Sequence, residues 1–199
     1  MATTAAPYGL KPVNLIGGQP YAGSTRQIKI ASAYNTNIFN GSVVQIESDG
    51  TVGLVGETGA AADQFPAGVV GVFVGCSYTD PGTKQKLFKQ YWPAGTVASD
   101  AVAYVVDDKD CLFQAQADGA LAQTTLGNNV HFVAAQTGDT VTGNSTTALD
   151  ASEAATTNTF AFRIVDFVES TTSTVGDAKT DVLVKFNAGV HSYEKALGA

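Results

Sequence analysis

Ser42-Val43-Val44-Gln45-Ile46-Glu47-Ser48-Asp49-Gly50-Thr51-Val52-Gly53-Leu54-Val55 decides the fold class. Two short runs rich in valine and isoleucine flank Asp49-Gly50, a dipeptide that takes the backbone twist a tight hairpin turn needs. β-Branched residues suit a pleated surface better than a helix. The same grammar continues in both directions. Residues 68–78 are apolar, with Gly71 and Gly75 marking a bulge or a close backbone approach. Asp80-Pro81-Gly82 turns the chain into residues 83–91, where Lys84 and Lys86 share one face and Leu87 the other. Residues 101–106 and 111–117 read as a further pair, joined by a hairpin turn at Asp107-Asp108-Lys109-Asp110.

A short helix is expected within residues 120–126, and a strand over 130–135. Residues 57–64 read as a loop of small residues. Residues 136–159, rich in Thr, Ser, Gly and Asn, read as a long exposed loop. Residues 160–169 alternate, placing Phe160, Phe162, Ile164, Asp166 and Val168 on one face, and residues 181–186 close the sheet. The expectation is a mainly β chain, an antiparallel β-sandwich or β-barrel of about nine or ten short strands. It comprises an extended arm over residues 1–30 and a single β domain over 31–199, of which 188–199 form a tail.

The arm carries three prolines, four glycines and two tyrosines between positions 7 and 23, a composition that excludes a helix. Its apolar side chains need a surface to cover. That surface is either the chain's own barrel or a partner. Tyr8, Leu10, Pro12 and Tyr21 are the candidate apolar anchors for contact with a partner or a second copy of the chain, with Arg26 and Lys29 as charge complements.

Net charge is −7, unevenly spread. Residues 1–46 hold Lys11, Arg26 and Lys29 and no acid, whereas residues 90–162 hold eight acids against Lys109. An acidic body argues against nucleic acid as a direct partner, since phosphate contacts need clustered cations. The cluster Lys84, Lys86, Lys89 reads as a solvated hairpin edge, where lysine discourages edge pairing. No apolar run is long enough to span a membrane.

The sequence holds no constellation of catalytic, metal-binding or cofactor-binding residues. Gly18–Thr25 has phosphate-loop glycine spacing, but Ser24 stands where the lysine belongs. The Asp107–Asp110 cluster lacks the glycine and distal glutamate of a calcium loop. His131 reads as a surface or satisfied strand histidine, and His191 falls in the tail. Cys76 and Cys111 sit in apolar runs and read as buried thiols, with a disulfide between them left open.

Several segments resemble a known family. Tyr8-Gly9-Leu10-Lys11-Pro12-Val13, then Gly17-Gly18-Gln19-Pro20-Tyr21-Ala22-Gly23-Ser24-Thr25-Arg26-Gln27-Ile28 and Asn37–Val44, are similar to the capsid cement or head decoration proteins of tailed bacteriophages. The likeness extends through Gly71–Pro81, Tyr91–Ala94 and Ser99–Asp108, roughly two thirds of the chain with two later fragments. It implies a non-enzymatic virion structural protein, made in the bacterial cytoplasm, that sits on the outer surface of the icosahedral capsid. Its partners would be the phage major capsid protein, whose subunits it would bridge, and itself, as a homotrimer. A glycan- or receptor-binding β module on the virion or tail is the alternative, with Tyr91 and Trp92 as its stacking residues.

Overall fold

The computed structural model describes residues 4–56, 68–133, 135–158 and 160–194. The reading at 57–64 and the last residues of the tail lie outside them. Eleven strands occur in the described residues: β1 (Lys11–Leu15), β2 (Arg26–Lys29), β3 (Val43–Ile46), β4 (Val52–Leu54), β5 (Gly71–Thr79), β6 (Lys86–Lys89), β7 (Val102–Val106), β8 (Cys111–Gln116), β9 (Asn129–Val130), β10 (Phe162–Phe167) and β11 (Asp181–Phe186). They form two antiparallel sheets. The first runs β1-β8-β11-β10-β9, and the second β2-β7-β5-β3-β4 with β6 on β5. The arrangement is sandwich-like rather than a closed barrel; one parallel bridge, Ile30 to Val52, joins the outer strands of the second sheet.

The β3–β4 hairpin forms where Asp49-Gly50 places it, pairing Val44 with Leu54 and Ile46 with Val52. The apolar runs have a specific cause: around β3, the start of β5 and the end of β7 the second sheet is buried on both faces. Val43, Val72 and Val106 face the first sheet, in a core with Phe113, Phe162, Val184 and Phe186. Their neighbours Val44, Phe73 and Val105 face a second core closed by Ile38, Trp92 and Ala101. Each fully buried side chain of this kind contributes roughly 1.5–3 kcal/mol.

Five expectations are corrected. β7 and β8 are not a hairpin pair. β7 pairs with β2 and β5, β8 with β1 and β11, and Asp107–Asp110 carries the chain from one sheet to the other. The segment 136–159 is not simply exposed: Leu149, Thr147 and Ser145 are buried, and Leu149 bridges both Ala117 and Phe132. The described part of the tail is docked, with Val190 and His191 buried and His191 bridging Val69. In β10 the register shifts between Ile164 and Asp166, so Phe167 turns inward and Asp166 outward. That bulge breaks the alternation read for residues 160–169. The short helix is a single 3-10 turn at Gln123–Thr125.

The arm is extended and belongs to the sandwich. β1 is an edge of the first sheet and β2 an edge of the second. Gly9 and Gly41 make the junction possible. Both have φ in the left-handed region, and a Cβ on Gly9 would stand 2.9 Å from the Gly41 backbone. Across that contact the Leu10 amide donates to the Gly41 carbonyl at 3.0 Å.

Candidate interaction surface

The six arm residues do not form one surface. Leu10 fills the first core at 1% exposure and cannot anchor a partner. Tyr8 is half-buried beneath the Lys11 ammonium, 4.3 Å from its ring centre. Burial, then the charge of Asp181, pushes its phenol up. Pro12 lies half-exposed opposite Phe113 on β8. Tyr21 packs on the first core and donates its hydroxyl to the Ser24 carbonyl at 2.7 Å. Arg26 is committed to its own chain, ion-paired with Asp107 and lying 5.0 Å from the Tyr193 ring. Lys29, by contrast, is exposed on β2.

The two thiols and both imidazoles are internal. Cys76 lies in the second core and donates to the Tyr91 carbonyl, with sulfur and oxygen 3.4 Å apart. Cys111 lies in the first core, and both thiols are free. Burial pushes each up to about 12, so neither is a thiolate near neutral pH. His191 Nδ1 accepts from the Tyr193 amide, which leaves Nε2–H to donate to the Asp107 carbonyl at 3.1 Å. Burial lowers its basicity, so the ring is a neutral strut between the C-terminal segment and the inter-sheet corner. His131 is interior rather than on the surface, its ring centre 4.2 Å from that of Phe160.

At the corner itself, Asp110 accepts from Lys109 at 3.0 Å and Lys185 at 3.4 Å. Hydrogen bonding from Lys109 is the largest influence holding its carboxyl below the usual range. Among the described residues no group of three His, Cys, Asp or Glu side chains is disposed to hold a metal ion. Trp92 is fully buried, donating to the Tyr34 carbonyl at 3.1 Å with its ring edge against Tyr78. It offers no platform to a sugar.

The surface carries several exposed apolar side chains and lysines. Phe88 is 73% exposed on β6, Val141 is 92% exposed in a turn beside Gln90, and Ile16 and Val97 are exposed elsewhere. Lys86 pairs with Asp100 at 2.9 Å, and the Lys89 ammonium lies over the Tyr78 and Tyr91 rings. β6 keeps strict alternation: Leu87 and Lys89 turn toward the second core while Lys86 and Phe88 turn out. The sequence marked the lysines of this hairpin. The exposure of Phe88 was hidden, because a phenylalanine in a strand is ordinarily core. No protein-family model matches the chain, and no curated protein or solved structure matches it either.

Proposed function

We propose that this chain is a non-enzymatic virion structural protein. It binds the outer surface of a bacteriophage capsid and stabilises the shell by bridging major capsid protein subunits. The observation that carries this reading is the division between inside and outside. The thiols and imidazoles are internal, and the surface offers scattered apolar side chains and lysines suited to protein contact. The family-like segments supply the partner. A trimer at each local three-fold would repeat one contact three times, and weak contacts so linked gain strength through effective concentration. Because β1 and β2 pair within their own chain, contact falls to exposed faces and turns rather than to a free arm. Copy number in purified particles, measured by quantitative mass spectrometry against the major capsid protein, is the test. A ratio near one-to-one is expected; a few copies per particle would overturn the reading.

A further inference from the structure

Sheet register brings together a surface that no single segment displays. Lys29 on β2 lies opposite Val102 on β7, Val102 opposite Ser77 on β5, and Ser77 opposite Phe88 on β6. Directly paired residues project to the same side of a sheet, so these four form one row across four strands, spanning roughly 15 Å. Tyr104, opposite Gln27, stands in the adjoining row and donates its hydroxyl to Ser77 Oγ at 3.1 Å. The reverse side, with Ile28, Ala103, Cys76 and Leu87, packs on the second core. Farther along β5 and β7, Val72 and Val106 on the near side are covered by the first sheet. At this end Phe88 and Lys29 are exposed and Val102 and Tyr104 half-exposed, while Ser77 is buried and receives the Tyr104 hydroxyl.

The charges at its margins are unusual for this molecule. Elsewhere in the described residues every lysine and arginine has a carboxylate, carbonyl, amide or ring against it. Lys29 and Lys84 have none, and they flank this face: one on β2, the other in the β5–β6 turn. Lys84 holds φ at 59°, a conformation that favours glycine or asparagine, yet the residue there is a cation. The two nearby carboxylates are already engaged, Asp100 with Lys86 and Thr79, Asp80 with the amides of Gly82 and Thr83. In a chain of net charge −7, Lys29, Lys84, Lys86 and Lys89 outnumber Asp80 and Asp100 along these strands and their turn, a local reversal of sign on the face that exposes Phe88.

We infer that this β2–β7–β5–β6 face is the docking surface for the shell, and that its partner presents carboxylates around an apolar recess that receives Phe88. The inference rests on the function proposed above and names the surface that performs it. Phe88 supplies the anchor, while Lys29 and Lys84 orient it and speed its encounter.

The test uses shells assembled from major capsid protein alone, titrated with the full-length chain. The unaltered chain binds, and less tightly as sodium chloride rises from about 50 to about 300 mM. The variant Phe88→Ala with Lys29→Glu and Lys84→Glu binds at least about tenfold more weakly. Its melting temperature stays near the parent's, because all three side chains are exposed, and Val141→Ser leaves affinity unchanged. Equal binding by parent and triple variant would overturn the docking face alone. Failure of the unaltered chain to bind would overturn the proposed function and this inference with it. Two other results would also sink the inference: loss of an oligomer on substitution with shell affinity intact, making the face a contact between copies, or displacement of the shell by a single-stranded oligonucleotide.

Discussion

A glycine and a glycine look alike in a sequence, and here they differ by their surroundings. Gly9 and Gly17 both have positive φ, but a Cβ on Gly9 would collide with Gly41 and Ser145, whereas one on Gly17 would meet nothing. Gly9→Ala is expected to cost roughly 2–4 kcal/mol, combining strain with displaced backbone. Gly17→Ala should cost about 1 kcal/mol, from strain alone. Urea unfolding of the two variants measures the difference. The cysteines make a second residue-scale case. In the native chain Cys76 and Cys111 should not react with an aromatic disulfide reagent, and both should react on denaturation. Unfolded thiols ionise near 8.5 while the folded ones are pushed up to about 12. The unfolded state therefore loses protons first. Their stabilising contribution is complete below about pH 8.5 and is lost as pH rises toward the folded value. Denaturation midpoints measured at pH 7.5 and 10 should fall in that order; a rise would contradict the burial assigned to both sulfurs.

At the scale of elements, the informative case is the segment 136–159. Its composition reads as solvent-exposed, because periodicity weighs average polarity and not the few apolar side chains that matter. Leu149 is fully buried, and Gln136 reaches in to donate to the Val43 and Val55 carbonyls and to accept from the Val43 amide. Leu149→Ala should cost about 2–5 kcal/mol, as for any core leucine. Val141→Ala, in the same segment, should change stability by less than about 0.5 kcal/mol. The β6 edge is held differently. Asp100 accepts from the Thr79 amide and from Lys86, and the backbone hydrogen bond leads in holding its carboxyl well below the ordinary range. The clamp is present above the ordinary aspartate value and is lost as pH falls through the depressed folded one. Asp100→Asn should accelerate amide exchange in β6 while leaving β8 unchanged.

At the scale of the molecule, the β character, the β3–β4 hairpin and the closing strand β11 were legible, because turn dipeptides and β-branched runs are local signals. The division into two sheets was not. β7 and β8 are separated by four residues that read as a hairpin turn, and nothing in Asp107–Asp110 says that the next strand joins another sheet. Only the non-local partners β2 and β1 settle it. The same register hid the Lys29–Val102–Ser77–Phe88 row, whose members lie far apart in sequence. The arm's role changes accordingly. Removing residues 2–24 deletes β1 and Leu10, so the truncated chain should lose its cooperative unfolding transition. Trp92, the one tryptophan, reports this directly: buried, it should emit to the blue in the full chain and shift to the red in the truncation.

The pairing of Lys11 with Gln114 also fixes an order of events in time. A ribosome adding about 5–20 residues per second emits β1 roughly 5–20 seconds before its partner strand exists. Throughout that interval the nascent arm is an unsatisfied edge. Its prolines, glycines and flanking cations keep it from pairing with another chain while it waits. The composition that excludes a helix is then a safeguard during synthesis, and the eighth strand to appear recruits the first.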